Sequence, residues 1–156
     1  MQYVDVLIGN EEDAVTVFGL DAPDIDVKRG KLELETYREI AEQLVHRFAF
    51  SHVATTLRRS LSASINHWSG TVYDGQSHYA SGTYEIYPVV DRVGGGDAFA
   101  GGLIYGLLQA WPLQRTVEFA AAASCLKHSI AGDFGLVTHD EIELLVGGDA
   151  SGRIVR

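Results

Sequence analysis

Three consecutive glycines, Gly94-Gly95-Gly96, run straight into Asp97 and then into a stretch patterned as a helix. That juncture constrains the chain more than any other feature. A helix start leaves its first amides without intrahelical acceptors and carries a partial positive charge. Residues without side chains let an anion approach those amides, so the turn predicts a phosphate cradle. Asp97 then falls where a phosphoryl group would meet its acceptor, placed to take the proton of an attacking hydroxyl. A plainer account makes Asp97 a helix N-cap and the glycines a flexible turn, and spacing alone does not separate the two. The segment is not a Walker A motif, because no Gly-Lys-Ser/Thr follows. Nor is it a Rossmann fingerprint, because no glycines of that spacing follow the first strand.

The elements around this turn read as an α/β layout. Val4 to Ile8 is an apolar run closed by Gly9-Asn10, which predicts a buried parallel strand, and Glu11-Glu12-Asp13 makes an acidic helix start. Apolar residues at Leu34, Tyr37, Ile40, Ala41, Leu44 and Phe48 have the spacing of a one-faced helix, and Phe50 to Leu57 supplies a second strand. From Ser62 to Val90 short β-prone stretches alternate with turn residues, Asp74-Gly75 being the strongest hairpin signal. Two helices are expected at Ala98 to Gln109 and Thr116 to Ile130, broken at Trp111-Pro112, and a last one near Thr138, where Thr138 and Glu141 have capping-box spacing. Gly101, Gly102 and Gly106 inside the first of these each cost about 1 kcal/mol relative to alanine. Close packing against a strand or a nucleotide is the expected compensation. The order of elements is α/β with some antiparallel edge, in one domain over residues 1–156 without repeats or linkers, and 147–156 reads as a frayed terminus.

Composition narrows the function. The 156 residues are 46% hydrophobic, enough for a sizeable core. Twelve basic against 21 acidic residues leave a net charge of −9, and the basic ones are scattered, which argues against nucleic acid as a partner. A phosphate site here has to rely on backbone amides and a metal. Cys125 is the single cysteine and has no internal disulfide partner, and the first residues lack the basic start and apolar core of a signal peptide, so the expected location is cytoplasmic. No window reaches the roughly 20 apolar residues of a membrane helix.

The stretch DRVGGGDAFAGGLIYGLL, from Asp91 to Leu108, resembles the C-terminal signature D-T-x-G-A-G-D of the ribokinase-like (PfkB-type) carbohydrate kinases, with Arg92 in place of Thr and Gly95 in place of Ala. The resemblance implies that Gly94, Gly95 and Gly96 form an anion hole, that Asp97 is the catalytic base, and that Asp91 helps organise phosphate and Mg2+. Asn10-Glu11-Glu12-Asp13 is similar to the family's N-x-x-E element, with Asp13 at the Glu position. That implies roles for Asn10 and Asp13 in positioning magnesium and phosphate. Acids favouring a helix dipole account for the same residues without the resemblance.

Within the family, Thr56 to Ser69 and Lys127 to Phe134 resemble the 2-keto-3-deoxygluconate kinases, Arg58 replacing the glycine of a T-x-G start. Thr56, Arg58 and Ser60 are then candidates on the nucleotide side or near the substrate acid, the plainer account of Arg58 being an exposed strand end. Ala120 to Gly135 resembles the stretch that lines the adenine pocket, which makes Ala123, Lys127 and His128 nucleotide-side candidates, although small residues there serve core packing equally well. The histidines lack metal-ligand spacing, and Cys125, in mid-helix, reads as a small buried hydrophobe. The implied fold is the C-terminal half of a ribokinase-like three-layer α/β/α domain with a partly antiparallel β edge. The implied activity is ATP- and Mg2+-dependent phosphorylation of a sugar or sugar acid, 2-keto-3-deoxygluconate before fructose or ribose. Because family members are longer, the chain reads as a fragment or split-gene product, working with a separate N-terminal half or as a homo-oligomer when full length. An inactive fragment, or a non-catalytic nucleotide- or phosphate-binding module, is the competing account.

Overall fold

The computed structural model describes residues 1–19, 34–62 and 64–148. Strand β1 (Val6–Asn10) leads into helix α1 (Glu11–Thr16), and helix α2 (Leu34–Phe48) into strand β2 (His52–Ser60). Strands β3 (Asn66–Tyr73), β4 (His78–Ala80) and β5 (Tyr84–Ile86) follow, then helices α3 (Gly95–Leu108), α4 (Leu113–Lys127) and α5 (His139–Val146). β1 pairs parallel with β2, while β2 with β3, β3 with β4 and β3 with β5 are antiparallel. The hairpin signals therefore understate the antiparallel share, which is most of the sheet rather than its edge.

The period-2 geometry of the strands sorts their side chains onto two faces. Val53 and Tyr73 join Ala14, Phe18, Ile40, Ala41 and Leu44 in a core beneath α1 and α2. Their neighbours Ala54 and Val72 join Phe99, Leu103, Val117, Ala120 and Ala121 beneath α3 and α4. Helices on both faces of one sheet make the three-layer α/β/α arrangement. A third cluster, Phe119, Ala122, Ala123 and Ile142, seats α5 on α4.

Several boundaries differ from expectation. β1 begins two residues later and runs through Gly9 and Asn10, which pair with Thr55 and Thr56 instead of forming a closing turn. α4 covers Leu113–Lys127, not 116–130, because Pro112 acts as the N-cap. α3 begins at Gly95, three residues early. Two of its internal glycines are compensated by packing against α4 rather than a strand: an added Cβ would stand 2.8 Å from Ala120 Cα at position 102 and 2.7 Å from Thr116 Cγ2 at position 106. Gly101 meets nothing within 4 Å. α5 starts on the predicted capping box, with Thr138 accepting from the Glu141 amide and the Glu141 carboxylate accepting from Thr138 N–H at 2.8 Å. Of the expected frayed tail, 149–156 lies outside the described residues, among which no helix is long and apolar enough to cross a membrane.

Candidate active site around the glycine turn

Most of the predicted site residues, though not Ala123, lie towards one end of the sheet. Asn10 closes β1 opposite Thr56. Across β2 and β3, Thr56 faces Gly70, Arg58 faces Trp68, and Ser60 faces Asn66. The Trp68 ring lies 4.8 Å from that of His128. His128 in turn sits under Gly95, whose missing Cβ would be 2.7 Å from His128 Cε1. The C-terminal ends of β1 and β2 and the start of α3 thus share one rim, the end where open α/β sheets bind ligands.

The three glycines have different tasks. Gly94 is the N-cap, at φ 78°, a left-handed conformation costly to residues with a Cβ. A Cβ there would also lie 2.4 Å from the Asp133 carbonyl. Gly95 accommodates His128. Only Gly96 faces open space, with nothing within 4 Å. The Gly95 amide donates to Arg92 O at 3.3 Å, and Ala98 N–H to Gly94 O at 2.9 Å. The amides of Gly94, Gly96 and Asp97 find no acceptor among the described residues, as the first amides of a helix generally do not, and are open to an anion.

Asp97 is the third residue of α3, exposed and without a hydrogen bond or ion pair among the described residues. The N-cap account of this residue is therefore corrected: Gly94 holds that place, and the Asp97 carboxylate is not spent plugging the helix. Asp91 is differently employed. Its Oδ1 accepts from Val93 N–H at 3.0 Å and its Oδ2 from Gly132 N–H at 2.8 Å. The Val93 amide, then that of Gly132, hold its half-buried carboxyl below the usual range.

Asn10 and Asp13 form a reciprocal cap on α1: the Asp13 amide donates to Asn10 Oδ1 at 3.2 Å and the Asn10 amide to Asp13 Oδ2 at 2.8 Å. The helix-start account of these acids is thus realised. Among the described residues no three His, Cys, Asp or Glu side chains cluster as a metal site. Arg58 and Ser60 are exposed and Thr56 half-buried, its hydroxyl 3.5 Å from Gly9 O. Ala123 lies in the core under α5.

Lys127 and His128 end α4 and are almost wholly buried, at 0% and 2% exposure. Lys127 Nζ donates to Ile130 O at 3.1 Å and Gly132 O at 2.6 Å. His128 Nδ1 donates to Ser124 O at 2.7 Å. Burial pushes the His128 imidazole below the ordinary histidine range, the Ser124 carbonyl opposing and the charges of Lys127, Arg92 and Arg58 adding to it. In a chain of net charge −9, these three cations all act on the imidazole that packs under Gly95.

A cleft of about 200 Å³ opens elsewhere, along the edge of β1, lined by Leu7, Phe18, Leu44 and Val53 among others and reaching Asn10 and Asp13. The glycine turn lies outside it, on the surface of this chain. Sequence reasoning missed Asn66, Ser124 and Asp133. The Ser124 hydroxyl donates to Gly95 O at 2.7 Å, and buried Asn66 accepts from Arg92 at 3.5 Å. Contacts between β3, α4 and the turn join distant segments and leave no local pattern.

The model of the pfkB family carbohydrate kinases matches residues 1–133. The chain belongs to that family. Among its pfkB relatives, a 2-dehydro-3-deoxygalactonokinase of Haloferax volcanii is 33% identical over 94% of this chain and 40% of its own length. The crystal structure of a 2-dehydro-3-deoxygluconokinase from Thermotoga maritima superposes with a TM-score of 0.87 at 48% identity, over 94% of this chain and 43% of that one. A pfkB carbohydrate kinase from Listeria grayi gives 0.77 at 31% identity, over 92% and 41%. The chain thus spans about two fifths of the length of these pfkB proteins, 40 to 43%.

Proposed function

We propose that this chain carries the phosphoryl-transfer end of an ATP-dependent kinase for a sugar acid, 2-keto-3-deoxygluconate being the first candidate. The observation that carries the reading is the cluster of unsatisfied amides at Gly94, Gly96 and Asp97 beside the uncommitted Asp97 carboxylate. The names of the Haloferax and Thermotoga relatives favour a keto-deoxy sugar acid over fructose or ribose.

In the proposed step, oxygens of the γ-phosphoryl group of ATP accept from the bare amides, so negative charge builds against a positive helix end. Asp97 takes the proton of the acceptor hydroxyl as its oxygen bonds to phosphorus, and the bond to the β-phosphate oxygen breaks to release ADP. Thr56, Arg58 and Ser60 lie along the rim on the nucleotide side. Lys127 and His128 support the turn from beneath, while Ala123 packs in the core under α5. Magnesium, when bound, neutralises phosphate charge, and this ion usually arrives with the nucleotide and takes only one or two carboxylates. The donor set fits that mode: Asp13 has an oxygen without a partner among the described residues, whereas Asp91 has both engaged and organises the turn. The sugar-facing wall is assigned to polypeptide equivalent to the rest of the relatives, in the same chain or a separate one, in a cytoplasmic enzyme.

The test is Asp97→Asn in the assembly that includes that polypeptide. Turnover should fall by about 10²–10⁴ while Mg-ATP affinity stays nearly constant; unchanged turnover removes Asp97 as the base. A second reading, a non-catalytic phosphate-binding module, draws on the position of the turn outside the cleft. Calorimetric Mg-ATP binding without transfer to any sugar in that assembly would favour it.

A further inference from the structure

We infer that the buried ammonium of Lys127 is a positioning cation: it gathers the carbonyls of the loop after α4 and so holds that loop as the floor of the glycine turn. Lys127 has no exposed surface, and no ion pair with a carboxylate joins it among the described residues. A buried ammonium without such a partner is costly unless its protons are otherwise satisfied. The Ile130 and Gly132 carbonyls, at 3.1 and 2.6 Å, satisfy it instead, in the way rings of carbonyl oxygens replace the hydration shell of a small cation.

The same loop is tied to the turn at two further points. The Gly132 amide donates to Asp91 Oδ2 at 2.8 Å, and the other Asp91 oxygen takes the Val93 amide just before the glycines. The Asp133 carbonyl and Lys127 Cε lie 2.4 and 3.1 Å from where a Gly94 Cβ would be, so the lysine stem and the loop together form the surface on which Gly94 rests. Lys127 therefore carries one positive charge into a carbonyl cage, and the cage is what keeps Gly132 within reach of Asp91. The lysine acts on the anion turn through the loop, without touching a ligand.

The test reads amide hydrogen exchange in Lys127→Met and needs no kinase activity. Exchange at Gly132, Val93 and Gly95 should rise by about tenfold or more, while Val72 in the central strand is unchanged. Ammonium chloride should restore the protection, because NH4+ fits the vacated cage. Tetramethylammonium chloride at equal ionic strength should not. Unchanged protection, or equal effects of the two salts, overturns the inference. If Lys127→Met does not fold, heteronuclear NMR of the wild-type side chain decides instead: slowly exchanging Nζ protons support the cage, and protons in fast exchange with water overturn it.

Discussion

The Cβ that Gly95 lacks would stand 2.7 Å from Cε1 of His128. That imidazole has little room to retreat, because its Nδ1 is held by the Ser124 carbonyl and its ring packs on Trp68. Gly95→Ala should therefore overpack the base of α3 and cost about 1–3 kcal/mol. Gly96→Ala, in open space on the same helix turn, should be neutral or stabilising by up to about 1 kcal/mol. Denaturant unfolding of the two variants checks the contrast, and equal effects would mean that His128 does not brace the turn.

His128 also sets a pH dependence. Burial lowers its folded pKa, so the unfolded chain binds this proton more readily than the native one. Stability from the neutral ring is fully present above the unfolded pKa of about 6.5 and is lost as pH falls through that value towards the lower folded one. Asp91 is likewise lowered, by the Val93 and Gly132 amides, but its contribution is present above the unfolded carboxylate value and fades only in the acid range beneath it. Two separate declines are expected on acidification, and His128→Gln should shrink the upper one, leaving the share of His78, whose imidazole burial also holds below the ordinary range. A melting-temperature profile in which that variant keeps the upper decline undiminished would assign it to another group.

The helix-forming glycine turn, the α/β order and the capping box of α5 were legible because each depends on residues adjacent in sequence. The start of α3 was not. Gly95 and Gly96 are poor helix formers by local propensity, yet they occupy the first turn of α3, where Gly95 is needed by the ring of His128. The end of α4 was placed late for a related reason. Apolar residues continue to Ile130, but Lys127 bends the chain back by taking the Ile130 and Gly132 carbonyls. That Asp97 is not the cap was undecidable from spacing, since it turned on Gly94 taking the N-cap with a left-handed φ of 78°.

The interface of α3 with α4 predicts a graded pair. Gly106→Ala drives a methyl to 2.7 Å from Thr116 Cγ2, whereas Gly101→Ala meets nothing within 4 Å. The first should destabilise by about 1–3 kcal/mol and the second should add up to about 1 kcal/mol of helix propensity. Unfolding midpoints measured side by side decide it. A tolerated Gly106→Ala would show that the helices separate at little cost.

Arg92 offers a reading of the site's charge that does not depend on turnover. It immediately precedes the turn, donates to buried Asn66 Oδ1 at 3.5 Å, and its charge, with those of Lys127 and Arg58, helps lower the His128 pKa. Arg92→Gln should therefore raise the His128 pKa, because a nearby positive charge no longer disfavours the imidazolium. A site that gathers phosphate by the same field should lose Mg-ATP affinity together with that shift, by about 1 kcal/mol or roughly fivefold, and more at low salt than at high. Titration of the imidazole by NMR and calorimetry with Mg-ATP give the two readouts on one protein. A shift of His128 without loss of nucleotide affinity would mean that the field of these cations does not reach the phosphate, and would point the nucleotide to another part of the rim.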